Sequence, residues 1–583
     1  MTNNRMTRNN SSSSSACAGG EHTLLYNSTT RSLYSVGACG LGWNRNHPIT
    51  DTVFRLQKVM LRSNRPAAAD ADDNDNEPCH HRLFHASYYH NLAVGATTGR
   101  LYTWGCGTFV DTATENTDGT NANNKQHDNF DGIIPALGFK VTTSSSVSSS
   151  SRRRTDLGAF PEPVALNTQD LENVHDPIQS LAAGAYHSVV LTKYKNIVYT
   201  FGAGQLGQLG RRLSFQNNHT NYTDSSGLPV DPHPAPVEGL DNISIQHTND
   251  DDNDNTDTNT NTNDDTGGEA GRRRTVVDIG AGFYNTFAIV RNNTNTNSTN
   301  TNTRANSTNH KRWLYCAGEN QNQQCGEGAK NLHTMVKVNE LEKYDVARVD
   351  GGYCHTLIQT AAGKVFSMGC GEEGQRGDGK VLIDDDDDGD GDDDDNCITT
   401  RDILTPVLLP PGKKAIDIAA GANHSVILGD DGVAYTFGAN DVGQCGISSS
   451  SSSSNNNNNN QNSSSNSSSS SSGDDNTNDT TTRTDTNINT GTPIVSPRPV
   501  VDLPNDAGRI VKVSAGYAHT VLTAANGRIF VFGQNDNGQL GISMGVNGNS
   551  DDCATTTPQQ QNTNTNSSSI DQKPLLRPVE VKF

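Results

Sequence analysis

At 583 residues the chain exceeds an ordinary domain, yet only 32% of it is hydrophobic, so a folded part must be interrupted by polar segments that bury little. The net charge of −21 is concentrated: residues 384–395 hold ten Asp and 250–269 hold eight acidic residues, neither stretch with a base. The remainder lies within three charges of neutral, which excludes nucleic-acid binding through a basic face, and no apolar run reaches the ~18 residues of a membrane helix.

Taken in order, residues 1–15 read as a disordered tail with no apolar signal-peptide core. A Gly-x-x-His mark then opens at Gly19/His22 and returns at Gly184/His187, Gly352/His355, Gly421/His424 and Gly516/His519. Two altered copies complete seven: Ser87/His90, with Ser for Gly, and Gly282/Asn285, with Asn for His. Each mark leads into an apolar run, a turn and a second apolar run that ends on a glycine: Gly37, Gly105, Gly202, Gly318, Gly369, Gly438 and Gly533. The spacing from mark to glycine is 14 or 15 residues in six copies and 33 in the fourth, where 291–310 is inserted. This is a β-hairpin; in the last copy Asn526-Gly527 predicts a type I′ turn with both residues at positive φ.

Two further strands precede each hairpin, as at 163–166 with 178–181, 406–409 with 416–419, and 499–503 with 510–513. Each repeat therefore carries four short strands of period-2 apolar character. The first repeat lacks its leading strand, whereas 577–583 has that pattern at the C-terminus. The expectation is a seven-bladed β-propeller, all-β, closed by the C-terminal strand pairing into the first blade; closure removes the open sheet edges. The domain reading is one propeller over 16–583.

Low-complexity inserts are expected near 62–79, 111–155, 211–233, 243–271, 291–310, 380–400, 447–492 and 543–572. Without them and the tail, about 48 residues remain per repeat, which suits one blade. Strand alternation puts five inserts (111–155, 211–233, 380–400, 447–492, 543–572) on one face and three on the other.

No catalytic constellation stands out. A catalytic His occurs once, with an orienting partner; His22, His90, His187, His355, His424 and His519 share one phase of a repeat. The glycines, these six histidines and Asn285 are read as structural blade anchors, each His bonding locally to backbone near its turn, each Gly giving positive φ or close blade approach. The eleven cysteines, without a Cys-x-x-Cys pair, read as free buried thiols. Cys79, His80, His81 and His85 have metal-capable atoms but no finger spacing. The matches Gly202-x-Gly204-x-x-Gly207 and Gly369-x-Gly371-x-x-Gly374 lack the following helix of a dinucleotide site. Poly-Asp at 384–395 imitates a calcium loop by composition. No cofactor and no metal site are expected.

The stretch Ala182-Ala-Gly-Ala-Tyr-His-Ser-Val-Val-Leu-Thr192, followed through Val198 to Gly210, resembles the regulator of chromosome condensation repeat, and the resemblance covers all seven copies. It implies a seven-bladed propeller and a protein partner. From the family's founding member, which acts on Ran, it also implies guanine-nucleotide exchange on a small GTPase. Two readings stay open: a protein-interaction module, or a dedicated exchange factor for a Ran-like GTPase. In either, the chain is not itself a bond-making enzyme. It is expected to be a cytoplasmic and/or nuclear monomer that binds neither nucleic acid nor membrane.

Overall fold

The structure, a computed structural model, describes residues 14–37, 53–62, 76–105, 110–111, 132–134, 139–141, 160–165, 176–213, 222–223, 229–240, 273–293, 311–381, 403–447, 492–542 and 574–583. Among them run seven antiparallel blades, each built from one contiguous stretch of chain. Counted outward from the central channel, the last blade is Ile510–Ala515, His519–Ala524, Ile529–Gly533 and Leu575–Val581. The first is Ser15–Ala18, His22–Asn27, Ser32–Gly37 and Val53–Lys58. No helix among the described residues is long and apolar enough to cross a membrane.

In every blade the mark residue pairs across the hairpin with the closing glycine, from His22↔Gly37 to His519↔Gly533, including Asn285↔Gly318 across the long insertion. The recurring spacing is thus a cross-strand register. That glycine sits at φ between 97° and 126° in all seven copies, and at Gly37, Gly202, Gly318, Gly369, Gly438 and Gly533 the carbonyl before the mark residue also stands where a Cβ would be.

Second strands are buried along their whole length, as in His187–Thr192 and His424–Gly429. The expected period 2 is absent there because both faces of a blade are covered by neighbours. Outer strands such as Leu575–Val581 meet solvent, and there burial falls on every third residue (575, 578 and 581), not on every second. Seven apolar clusters fill the seven joints, for example Val189, Leu191 and Val198 of the third blade with Ala288, Val290 and Ala317 of the fourth.

Three expectations are corrected. The C-terminal strand does not pair into the first blade: Ile529↔Val581 and Val531↔Val579 make it the outer strand of the seventh. The leading strand of each sequence repeat is the outer strand of the preceding blade, since after the glycine tail the chain returns beside the hairpin it has just made. Face packing closes the ring instead, with Ala16, Ala18 and Leu25 against Val521, Ile529 and Val531. Backbone joins the two blades as Tyr517 N–H donates to the Gly19 carbonyl at 3.2 Å. The Asn526-Gly527 turn also differs: Gly527 alone has positive φ, and its N–H donates to the Ala524 carbonyl, a type I turn with a glycine bulge. Thirdly, parts of several predicted inserts form strands, among them Asn76–Glu77, which pairs with Leu61–Arg62. Val110–Asp111, Gly132–Ile134 and Phe139–Val141 make a small sheet, and Tyr222–Thr223 pairs with Pro229–Pro236. The other insert segments, and residues 1–13 of the tail, lie outside the described residues apart from short margins.

With the blades rephased, the five inserts 111–155, 211–233, 380–400, 447–492 and 543–572 fall in links from third to fourth strands. They leave the same face as the Gly-x-x-His turns, so the two-face division is unchanged.

Candidate functional site

The repeated histidines lie inside the joints. Each is buried, and its Nε2 reaches into the next blade, to the residue that follows that blade's own mark. His22 meets Asn91 Oδ1 at 2.7 Å, His90 meets Ser188 Oγ at 2.7 Å and His187 meets Thr286 Oγ1 at 3.0 Å. His355 meets Ser425 at 3.0 Å, His424 meets Thr520 at 2.9 Å, and His519 meets Thr23 of the first blade at 3.0 Å. The bonds expected to be local and to backbone are therefore side chain to side chain, between blades.

The tautomer follows from the acceptors. The hydroxyls of Thr23, Thr286, Ser425 and Thr520 already donate to the carbonyls of Gln539, Gln208, Gln375 and Gln444 at 2.6–2.9 Å. They can only accept from the imidazole, so Nε2 carries the proton. Burial holds all six rings neutral, with pKa values lowered from 6.5 to about 4 at His22, His187 and His424 and about 3 at His90, His355 and His519. A ring with no access to solvent cannot exchange protons with a substrate.

The mark glycine answers to the ring. A Cβ at Gly184, Gly352, Gly421 or Gly516 would overlap both Cε1 of its own histidine and a backbone carbonyl of the next blade's mark. Gly19 is similarly placed against His22 and the Ser87 carbonyl. None of these glycines has positive φ, so close approach is the operative alternative. Ser87 uses its hydroxyl against His90 Nδ1 at 2.8 Å. Asn285 turns back to the Glu319 carbonyl at 2.6 Å, and Gly282 there is looser, its nearest neighbour being Gly351 Cα at 3.2 Å.

Two cysteine pairs flank this altered joint. Cys316 is joined to Cys325 and Cys354 to Cys370, each with Cα atoms 5.6 Å apart. The free-thiol expectation is corrected for these four; the residues meet across strands and tails that only the blade brings together. Cys17, Cys79 and Cys445 are buried and form no disulfide among the described residues. Among the described residues the one grouping with metal-ligand proximity is Cys354, Cys370 and Glu372, whose sulfurs are tied to each other, and the Cys79–His85 stretch makes none.

The residues inside the marks line the channel mouth, with Gly20, Ala185 and Ala422 buried and the aromatic ones partly or openly exposed. Tyr88, Tyr89, Tyr186, Phe283, Tyr284, Tyr353 and Tyr517 form a crown of rings over the channel mouth. Tyr88 stands 4.8 Å from Phe283 and 5.2 Å from Tyr517 between centroids, and Phe283 stands 4.8 Å from Tyr353. Burial together with neighbouring tyrosines pushes the phenols of Tyr88 and Tyr284 up to about 12. Glu21 and Glu319 lie half-buried at the rim, and burial raises both carboxyls, Glu21 further because of Asp536. Deeper in the channel wall Asp350 accepts from Ala420 N–H at 2.9 Å, and burial pushes its pKa up to about 7. Sequence reading passed over this crown; lining up the two residues after each mark glycine shows it directly.

Models of the regulator of chromosome condensation (RCC1) repeat match residues 362–428, 415–444 and 510–539. An RCC1 domain-containing protein of Dictyostelium discoideum is 41% identical over 185 residues, 31% of this chain and 29% of its own length. The Regulator of chromosome condensation of Xenopus laevis is 26% identical over 190 residues, 32% of this chain and 30% of its own. A crystal structure of yeast RCC1 (Prp20) bound to Kap60 is similar over 98% of this chain and 84% of that one, at 15% identity and a TM-score of 0.49. The chain spans about a quarter of the length of the first curated relatives it matches. The matched segments are regulator of chromosome condensation repeats, and the other blades share their register and closing glycine, with the mark intact in five blades and altered in two.

Proposed function

We propose that this propeller is a protein-interaction module whose working face is the one carrying the aromatic crown, the buried histidines serving as blade anchors beneath it. The carrying observation is that Tyr353 and Tyr517, 44% and 39% exposed, are the members of this crown that present large side chains openly to solvent. Large rigid side chains of this kind supply contact area at low entropic cost. The test is comparative capture with the full chain. Partners retained by wild type should be lost on Tyr353→Ser/Tyr517→Ser and kept on Ile416→Ser/Val511→Ser, which alters the opposite end of the channel. Equal capture by both variants refutes this face.

The family resemblance favours a second reading, guanine-nucleotide exchange on a Ran-like small GTPase. Exchange requires tighter binding of the nucleotide-free GTPase than of its GDP form, because only differential affinity shifts an equilibrium. Catalytic amounts of the chain should then accelerate release of labelled GDP. No acceleration across a panel of Ras-family GTPases eliminates exchange and leaves the module.

A further inference from the structure

The crown is not uniform. In ring order, the residue after each mark position is Gly20, Tyr88, Ala185, Phe283, Tyr353, Ala422 and Tyr517. Over Ala185 the flanking rings Tyr88 and Phe283 close on each other, and over Gly20 Tyr88 and Tyr517 do the same. Over Ala422 they do not: among the described residues no ring contact joins Tyr353 to Tyr517, and these are the two crown residues with exposed side chains. Backbone holds the walls in place, as Tyr353 N–H donates to the Ala422 carbonyl and Ala422 N–H to the Tyr517 carbonyl, both at 3.1 Å. The result is a notch with an alanine floor and two aromatic walls.

Its electrostatics have one sign. Glu372 has a carboxylate oxygen within 4.8 Å of the Cys354 sulfur, beside the Tyr353 wall. Asp441 is on the notch's own blade, held by Gln444 at 2.6 Å. Asp536 lies on the Tyr517 side, close enough to raise Glu21. No Lys or Arg occurs in the mark pairs or in the four residues after each described closing glycine. Aromatic faces present negative potential, and carboxylates around them reinforce it.

Resting on the interaction-module reading, we propose that the notch over Ala422 takes the cationic end of a lysine or arginine side chain presented by a basic segment of a partner protein. The ammonium or guanidinium lies between the Tyr353 and Tyr517 faces, with Asp441 and its neighbours as counter-charges.

Fluorescence anisotropy of labelled (Gly-Lys)5 and (Gly-Gln)5 on the full chain at 0.15 M salt tests this. At that ionic strength, attraction to distant exposed acids is largely screened. The lysine peptide should bind more tightly than the glutamine peptide. Tyr353→Leu and Tyr517→Leu should each weaken it about three- to tenfold, while Tyr353→Phe, which keeps the ring, restores binding. A diazirine on the lysine peptide should crosslink to the segments around 353, 422 and 517. Equal affinity for wild type and both Leu variants, crosslinks confined elsewhere, or no binding overturns the proposal. Equal, crown-dependent binding of the two peptides overturns the cation and leaves the module standing. Circular dichroism confirms that each variant is folded.

Discussion

Acidification should unfold this propeller through its histidines. Each of the six has a folded pKa of about 3 or 4 against an ordinary 6.5, so the unfolded chain binds more protons below pH 6.5. Their stabilisation is complete above about pH 6.5 and is lost as pH falls toward 4. From pH 7 to 5 the loss is about 2 kcal/mol per site, or roughly 11 kcal/mol for six. Asp350 opposes this: its folded pKa of about 7 lies above the ordinary 3.8, so it takes up its proton in the folded state and returns about 2 kcal/mol over the same interval. Asp278, Asp417 and Glu21, raised mainly by burial, act in the same direction. His85, which burial also holds at about 4, adds about 2 kcal/mol to the loss, and a net loss of roughly 11 kcal/mol or less is comparable to the whole stability of an ordinary domain, about 5–15 kcal/mol. Urea titrations followed by far-UV circular dichroism at half-unit steps should show the midpoint collapsing between pH 6 and 5. His187→Gln, which keeps an N–H donor for Thr286 but cannot titrate, should recover about 2 kcal/mol of the pH dependence. An unchanged urea midpoint from pH 7 to 5 would refute the reasoning, because it would mean that the imidazoles take up protons within the folded joints.

Mark glycines should differ in a predictable way. Gly184→Ala meets a ring atom and a backbone carbonyl, and should cost about 3 kcal/mol or more, whereas Gly282→Ala, with 3.2 Å to its nearest neighbour, should cost under about 1.5 kcal/mol; thermal melts compare them. Deleting 575–583 should expose the third strand of the last blade and remove the Arg528–Glu580 pair at 2.6 Å, lowering the melting temperature; an unchanged melt would show that strand to be dispensable. Replacing 448–491 with a short Gly-Ser linker should leave soluble, β-rich protein, since closure entropy changes by only about 0.6 kcal/mol per doubling of loop length; loss of fold would place that segment in the core.

Local chemistry determined much of this molecule. The mark, the hairpin and the closing glycine follow from neighbours in the chain, because a glycine opposite a mark residue is needed wherever the two strands cross so closely. Their sevenfold recurrence then specifies seven blades. The acidic composition at 250–269 and 384–395 and the count of large links per face were likewise legible, since strand alternation alone assigns links to faces. Even the residue each histidine meets stands in plain view, one place after the next mark, as in His519-Thr520 and His22-Thr23.

What sequence could not decide is which surfaces touch. A strand ending one repeat pairs equally well, by pattern, with the hairpin before it or after it, and only the register Ile529↔Val581 chooses. A histidine's bond is local or between blades according to how far the next blade stands away, a distance of about 3 Å set by packing of side chains from 69 to 496 positions apart. Cys354 and Cys370 sit 16 residues apart in the chain and meet only because the hairpin folds back. The crown is the extreme case: its rings come from different repeats, and whether two rings close over a small residue, as over Gly20, or leave it open, as over Ala422, depends on a closed ring that no single repeat contains.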